Sequence, residues 1–539
     1  MPELTEYAKY NKYMGVLENE RNPWDLPNKD IATYIIPGRG RWVGDGVEPN
    51  YGGNKHEDIY NEVGIYAIRI PVAGMIHGLS SPVGDWFRFS IDDKDLMKFG
   101  PVKEHLKLRA DGFKALFQKS NFYTSLYVIY EEEIGFGQAV ALIDEDFETL
   151  IHFNVLTAGE YVLNANARKR IDTLGRRYYS QVGSMADKFG LEKLSLSSQS
   201  SYKENPFAWK KLIHFIEPNK DHDERQMDSF AYKSIYFEDG HDDILMKSGY
   251  FEKPFVSPRF KQTAENVYGY GLGRDTIGSI KSIQSMEEDA YLAISRGADP
   301  PMMGHSSFIA MLDTSAGAYN PVSDVNKLEG IRSIYDRTDF DLESVEAKID
   351  RVAQSVGRGF FNDIFLYLMN NPNATATEIL ERKSEKIILL GPVITRQQTE
   401  LFTPMFDRVH GIAERANYFP PPPPELEDHE LEVDYVSQLA IAQKMSMMDS
   451  TYGYIGLAAQ LQQLDTNHPV NDNIDADKVM EEGADRLGVA DLQRGSEERE
   501  DIRKTRAEEM EKRAQVEQMA QMAGAVKDVA SVNPGGAGV

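Results

Sequence analysis

The hydrophobic positions of this chain change their spacing once, near residue 274. Before it, helical and alternating patterns are mixed. The stretch "KEHLKLRADGFKALFQKSNFYTSLYVIYEEEI" (103–134) sets Leu106, Leu108, Phe113, Leu116 and Phe117 at helical steps and predicts one long helix. "AVALIDED" is a short apolar run ahead of an acidic turn. "IHFNVLTAGEYVLNAN" alternates about a glycine and predicts a hairpin, and "WKKLIHFIEP", "AYKSIYFED" and "ILMKSGYFEKPF" predict further strands. From Asn22 to about Phe260 the pattern is therefore α+β. Its strands are neighbours in sequence, which predicts antiparallel pairing.

After Arg274 the spacing becomes helical. Asp275 reads as an N-cap, and Ile277, Ile280, Ile283, Met286, Ala290 and Ile294 follow at three- and four-residue steps. "RGADPPMMGH" ends that helix, and 298–340 is irregular and rich in turn residues. A second helix is predicted from Asp341 to Met369, with Leu342, Val345, Ile349, Val352, Val356, Phe360, Ile364 and Leu368 on one stripe. At 1.5 Å per residue it would be about 44 Å long. Gly357 and Gly359 inside it lower helix propensity and let a neighbouring backbone come close. Thr375 with Glu378 forms a candidate capping box, and Gly391-Pro392 and Pro404 kink or divide the helix that follows. Pro420 to Pro424 form a stiff spacer ahead of an acidic run. Val433 to about Gln463 reads as helical, and the last stretch as a charged helix or a disordered tail ending in "NPGGAGV". There is no internal repeat.

Gly269, Gly271 and Gly273 stand at every second position just where the pattern turns helical. They spell G-x-G-x-G, without the spacing of a dinucleotide fingerprint. The reading that fits is a chain swinging into a long helix rather than a phosphate cradle.

Composition narrows the function. The net charge is −26, so long-range forces repel nucleic acid, and a protein that grips DNA is disfavoured. With no cysteine there are no disulfides, thiolate metal sites or cysteine nucleophiles. The N-terminus lacks the apolar core of a signal peptide, and the longest apolar run, "IILLGPVI", is far shorter than the ~20 residues of a membrane helix. This predicts a soluble, non-exported protein. No Walker motif, H-E-x-x-H or G-x-S-x-G is present. His222, Asp223, His241, Asp242 and Asp243 form an acid-and-histidine concentration that would suit a hard or borderline metal, or be solvated turns. "HEDIYNE" by His56 is a weaker case of the same kind. With 85 Asp and Glu, carboxylate pairs carry no catalytic signal. The aromatic run "NFYTSLYVIY" has core spacing. "ARKR" (167–170), with Arg176 and Arg177 nearby, reads as a turn with solvated charges rather than a nucleic-acid patch.

Several stretches in order resemble the portal, or head-to-tail connector, proteins of short-tailed, podovirus-type bacteriophages. They are "KSNFYTSLYVIYEEEIGFGQAVALIDED", "ENPFAWKKLIHFIEPNKD", "SGYFEKPFVSPRFKQTAENVYGYGLGRD" and "ATATEILERKSEKIILLGPVITRQQTELFTPMFDRVHGI". The last is the most specific, with its Thr-Glu-x-x-x-Arg start, Leu-Gly-Pro step and Glu-x-x-x-Pro step. The likeness covers about Asn22 to Gly456. Where that family's loop often reads Gly-Pro-Gly, Leu272 replaces the proline.

The resemblance implies a ring, usually of twelve copies, at one capsid vertex, with no catalytic residue and no cofactor. It implies an α+β wing at 1–273, a stem of helices 274–297 and 341–369, and a clip at 298–340. It further implies a channel loop at 370–374, a kinked wing helix at 375–419, the proline spacer at 420–424, a mostly helical crown at 425–490, and a charged helix and tail at 491–539. Gly269, Gly271 and Gly273 become the wing-to-stem hinge. Partners would be other copies of the chain, passing double-stranded DNA, the terminase large subunit, the major capsid protein, scaffolding protein and tail adaptor proteins. The place would be the virion's portal vertex, reached from the host cytoplasm, with no membrane. An acidic bore repels phosphates over roughly 8 Å at physiological salt. Glu425, Glu427, Asp428, Glu430 and Glu432 are candidates for that wall. Asn370, Asn371, Asn373, Arg351 and Arg358 are candidate brakes on DNA, and the two arginines fit ion pairing between copies equally well. A minor capsid protein without a channel and a metal-dependent nuclease built on the His222 and His241 region are the alternatives.

Overall fold

The computed structural model describes residues 5–42, 57–93, 96–222, 229–298, 302–303, 332–333, 341–370, 390–426, 429, 431–437, 456–457, 460, 474–487 and 496–531. Two compact units emerge. One comprises Met1–Trp86, Asp111–Pro420 and Ser437–Ser446; the other Phe87–Ala110, Pro421–Val436 and Met447–Val539. In chain order the elements begin with α1 (Glu6–Tyr34), α2 (Val63–Leu79), β1 (Phe87–Ser90), α3 (Gly100–Lys119), α4 (Phe122–Phe136), β2 (Val140–Asp146), β3 (Leu150–Leu156), β4 (Tyr161–Ala165) and β5 (Ile171–Gln181). Next come α5 (Val182–Phe189), α6 (Leu196–Glu204), β6 (Trp209–Pro218), β7 (Tyr232–Glu238), β8 (Ile244–Tyr250), β9 (Phe255–Val256) and α7 (Leu272–Ala298). The rest are β10 (Met302–Met303), β11 (Arg332–Ser333), α8 (Leu342–Gly359), α9 (Asn362–Asn370), a π-helical segment (Gln397–Phe402), α10 (Thr403–Arg415), β12 (Glu432–Tyr435), α11 (Ala476–Leu487) and α12 (Ser496–Ser531).

The α+β class expected from the sequence is what the structure has, and each strand pairing among the described residues is antiparallel. In the first unit a five-stranded sheet runs β4-β5-β6-β7-β8 and a three-stranded sheet runs β3-β2-β9. The hairpin expected at 151–166 does not form. β3 pairs with β2 across the tight turn at Asp146, and β4 pairs with β5 in the other sheet. The turn explains it. Asp146 Oδ2 accepts from the backbone N–H of Glu148 and of Thr149, at 3.2 and 2.7 Å, so the reversal is made before β3 rather than after it.

Both faces of the five-stranded sheet are covered, so β6 reads as a nearly continuous apolar run. On one face α1 sets Tyr7, Tyr10, Met14 and Leu17 against Val162, Ile213, Phe215 and Phe237. α5 covers part of the sheet with Val182, Met185 and Phe189 around Leu212, Tyr236 and Leu245. A further cluster joins the two sheets through Val140, Leu142, Leu156, Leu163, Leu174, Ile216 and Phe255. α1 was not foreseen, because Pro23 and Pro27 lie inside it. Tertiary packing overrides the local penalty there.

The long helix expected at 103–134 is two helices. Asn121 ends the first and binds β3 on both sides. Its Nδ2 donates to the Phe153 carbonyl at 2.8 Å, and its Oδ1 accepts from the Phe153 N–H at 2.9 Å. The aromatic run there is core, as expected, with Phe122, Leu126, Ile129 and Tyr130 buried. Phe117 and Phe122 stack at 4.3 Å beside Trp86.

In the second unit β1 pairs with β12, and Val433 stands opposite Phe89. The helix expected from Val433 therefore begins as a strand; most of 438–463 lies outside the described residues, and 456–457 and 460 are helical. The charged terminal stretch forms α12, tied to α11 where Arg503 meets Asp477 at 2.7 Å. No described helix is long and apolar enough to cross a membrane.

Candidate functional site

The glycine run does more than turn the chain. None of Gly269, Gly271 and Gly273 adopts a positive φ. Each lies against the end of α4, backbone to backbone. A Cβ on Gly269 would meet the Gly137 carbonyl oxygen at 2.1 Å. One on Gly271 would meet the Ile134 oxygen at 2.5 Å, and one on Gly273 the Gly135 oxygen at 2.4 Å. Gly137, at φ +95°, reciprocates, since its own Cβ would strike the Gly271 nitrogen at 2.4 Å. Glycine at these positions permits an approach that any side chain would block. The seam is bonded as well: Gly269 N–H donates to Gln138 Oε1 at 3.3 Å, Phe260 N–H to the Gly137 oxygen at 3.1 Å, and Tyr270 N–H to the Lys261 oxygen at 2.7 Å. Arg274 stacks over Trp24 at 4.3 Å and donates to Asn28 at 3.1 Å, fastening the start of α7 to α1. Leu272 lies buried where α7 begins.

α7 starts three residues before Asp275, so Asp275 sits in its first turn and is not the cap. The N–H groups of Arg274 and Asp275 reach the Gly271 oxygen at 3.2 and 3.4 Å. α7 packs on α8, and Gly359 is the contact point, where a Cβ would come within 2.6 Å of Thr276 Cγ2. Gly357 has no such role; Asn362 Nδ2, at 3.7 Å, is the atom nearest to its Cβ position.

The second rod is not continuous. α8 stops at Gly359 and α9 starts at Asn362, with Phe361 at φ +56° between them. Phe360 is fully buried and anchors the break, while Ile364 and Phe365 carry the apolar stripe onward. Phe365 fills the notch over Gly74 of α2. The helical stripe survives within each piece, and the straight 44 Å rod does not.

Asp341 caps α8, accepting from Ser344 N–H at 3.2 Å. On α8 only Ile349 and Val356 are buried; Glu343, Glu346, Lys348, Asp350, Arg351, Gln354 and Arg358 are exposed. Arg351 and Arg358 are seven residues apart and share a face. Neither makes an ion pair among the described residues. Asn370 ends α9, and Asn371 and Asn373 lie outside the described residues, as do Glu427, Asp428 and Glu430 and the capping pair Thr375 and Glu378. Glu425 is exposed in the 3-10 turn Pro424–Leu426, and Glu432 is exposed opposite Ser90 on β12. The structure thus brings Arg351 and Arg358 together and keeps the glycines in a separate seam. Of residues 299–340, only the antiparallel pair β10–β11 is described, with Met302 opposite Ser333.

His222 and His241 are not neighbours. His222 lies in the β6–β7 connection and His241 in the β7–β8 turn, at opposite ends of the seven-residue β7. That strand is roughly 20 Å long, too far for a shared ion. His222 Nδ1 pairs with Ser229 Oγ at 3.0 Å, and no group of metal-ligating residues occurs among the described residues. Residues 167–170 form an exposed turn, as expected. Arg176 instead is buried, donating to His214 Nδ1 at 3.2 Å and stacking on Tyr178 at 4.3 Å. Arg177 pairs with Asp239 at 2.6 Å.

A buried acidic cluster at the end of α4 escaped the sequence reading. Glu132 accepts from Arg39 Nε and Thr157 Oγ1, each at 2.6 Å, and from Ala158 N–H at 3.1 Å. Burial raises its carboxyl above the ordinary range, and Arg39 opposes the shift. Glu133 bonds Gln397 at the head of the π-segment. Glu400 of that segment receives Arg259 Nη2 at 2.6 Å and Nε at 3.0 Å, with Arg396 at 3.3 Å. Arg259 is itself buried and reaches the Lys169 carbonyl at 3.1 Å. The Glu-x-x-x-Pro step therefore has a physical content: Glu400 clamps Arg259, and Pro404 opens α10 directly after the π-turns. The available signal for Glu133 was its phase, since it continues the buried stripe of Leu126, Ile129 and Tyr130.

Residues 8–491 match the family described as bacteriophage head to tail connecting protein. The chain belongs to the bacteriophage head-to-tail connector family. It is 32% identical over 497 residues to a probable portal protein of Bordetella phage BPP-1, across 91% of this chain and 89% of that protein. It is 30% identical over 501 residues to a portal protein of Salmonella phage epsilon15, across 90% and 88%. The portal resemblance read from the sequence is borne out.

Proposed function

We propose that this connector protein assembles as a ring at one capsid vertex and forms the channel through which double-stranded DNA is packaged and ejected. The observation that carries the reading is the pair α7 and α8. They pack on each other along one face and leave most of the circumference of α8, and much of that of α7, open to further copies. A rod stabilised mainly by its apolar face, with a broad polar remainder, suits side-by-side repetition. Tyr291, Leu292 and Ile294 near the end of α7 are exposed in the single chain, which fits burial against a neighbour.

In this reading α7 and α8 with α9 are the stem, 298–340 the clip and 370–374 the channel loop. The glycine seam at 269–273 is the joint between wing and stem, and residues from 425 onward make the crown. The −26 charge keeps the passing duplex from adhering, with Glu425, Glu427, Asp428, Glu430 and Glu432 among the groups facing it. Arg351 and Arg358, with Asn370, Asn371 and Asn373, supply weak contacts that slow the DNA. No nucleotide-binding motif is present, so the work of packaging comes from a terminase large subunit docked on the clip. Major capsid protein, scaffolding protein and tail adaptor proteins are the other partners, and the virion's portal vertex is the site, reached from the host cytoplasm.

Electron microscopy of the purified chain tests the ring. Closed rings with a central hole are expected, and monomers or solid particles at micromolar concentration would refute it. The double reversal R351E/R358E tests the brake. Rings should still form while retention of packaged DNA changes. Loss of ring formation with no separate effect on DNA would assign these arginines to contacts between copies.

A further inference from the structure

We propose that Glu133 is held as a neutral carboxylic acid, paired face to face with the Gln397 amide, and that this pair locks the π-helical segment onto the end of α4. The two side chains are each fully buried. Gln397 Nε2 donates to Glu133 Oε1. The other two oxygens, Glu133 Oε2 and Gln397 Oε1, have no hydrogen-bond partner among the described residues. An ionised Glu133 would leave two buried acceptors side by side with no donor between them. One proton on Oε2 satisfies both at once, since the acid O–H then donates to the amide oxygen while the amide N–H donates to the acid carbonyl. Two orphans become the second half of a two-bond pair, and unsatisfied buried acceptors are rare in folded proteins.

The surroundings favour the neutral form. Burial is the main influence and pushes the Glu133 carboxyl up to about 8 against the opposing Gln397 hydrogen bond; Glu400 adds to the rise and Arg396 opposes it. The cations nearby are engaged elsewhere. Arg396 and Arg259 serve Glu400, Arg39 serves Glu132, and Arg274 of α7 lies over Trp24. Tyr130, one turn back on α4, is hydrogen-bonded to Ser80 and stays neutral. Glu133 also lies in the last turn of α4, where the helix dipole disfavours negative charge.

The pair does structural work. π-turns are uncommon and persist where something outside the helix fixes them. Gln397 is the first residue of this one, and Glu133 stands two positions before Gly135 of the glycine seam. The lock thus fastens the segment carrying Glu400 to the helix end that receives α7. Its pH response follows from linkage. The carboxyl binds its proton more tightly folded than unfolded, so the stabilisation is complete below about pH 4.5, falls as pH rises towards about 8, and is constant above that.

The decisive comparison is E133Q, which keeps both hydrogen bonds as an amide pair and cannot ionise. Denaturation of the full chain is followed from pH 5 to 9.5 in wild type and E133Q. The two should match near pH 5. The folding equilibrium constant of wild type should then fall behind by about tenfold per pH unit up to about pH 8 and stay level beyond. Parallel curves, or a gap that narrows with pH, overturn the proposal. Infrared spectroscopy at neutral pH supplies a readout that does not depend on E133Q folding. A protonated-carboxyl carbonyl band is expected in wild type, shifted in Q397M because the acid loses its amide partner. Absence of the band, or a band indifferent to Q397M, overturns it equally.

Discussion

The glycine seam makes a sharp prediction because the same substitution should have opposite signs at two positions seven residues apart, one just before α7 and one inside it. In Gly271→Ala, the new Cβ sits 2.5 Å from the Ile134 oxygen, 2.6 Å from the Gly137 nitrogen and 2.9 Å from the Gly135 oxygen. All three are backbone atoms, so no rotamer change relieves the clash, and α4 and α7 must separate by about 0.5–1 Å. Overpacking of that kind costs about 1–3 kcal/mol. Loss of a seam hydrogen bond such as Tyr270 N–H to Lys261 adds about 1 kcal/mol. A total of about 2–4 kcal/mol lowers the folding equilibrium constant roughly 30- to 1,000-fold. In Gly278→Ala, nothing lies within 4 Å of the new carbon, and the helix gains about 0.5–1 kcal/mol. Urea unfolding followed by tryptophan fluorescence reports on both, because Trp24 meets Tyr270 edge-on and lies under the Arg274 guanidinium at the seam. If G271A matches wild type, or if G278A is as damaging as G271A, the close-approach argument is wrong.

Two further predictions concern buried charges. Arg259→Met strips Glu400 of its principal partner and should destabilise the first unit by about 3–5 kcal/mol, read by the same urea titration; a loss below 1 kcal/mol would show that Arg396 suffices. Lys253 donates to the Ile171 carbonyl at 2.6 Å and lies 4.5 Å from the centre of the Phe255 ring; burial lowers its amine to about 8. The unfolded chain binds that proton more tightly, so this group makes stability rise between about pH 8 and 10.5, by about 3 kcal/mol in all. Lys253→Met should abolish the rise, and an unchanged pH profile would refute the assignment.

Periodicity revealed the elements whose packing is local and missed those whose packing is not. β6, β7 and β8 of the five-stranded sheet were legible because their apolar runs and turn residues are contiguous, whereas β5 was hidden by the polar and charged residues in IDTLGRRYYSQ, and with it the true partner of β4. α1 was hidden because Pro23 and Pro27 argue against a helix until Tyr7, Tyr10 and Met14 find the sheet. The division at Asn121 was invisible because its cause, Phe153 on β3, lies far along the chain. The interruption at Phe361 was concealed by an apolar stripe that keeps its phase through the break. For the site, the importance of 269–273 showed in the spacing of its glycines, but their role did not, since the obstructing atoms belong to Ile134, Gly135 and Gly137. The acidic cluster was obscured by abundance, for among so many carboxylates only a position in the apolar phase marks Glu133 as different.

The break between α8 and α9 has a mechanical consequence. An unbroken helix passes a bending load along its whole length, whereas two struts meeting at Phe361 do not. α8 rests on α7 through Gly359 and also touches α2, and α9 is keyed into α2 through Phe365 and Gly74. Both struts meet α2 while α8 carries the main contact with α7, so a bend at Phe361 would first be felt as a slide of α9 over α2.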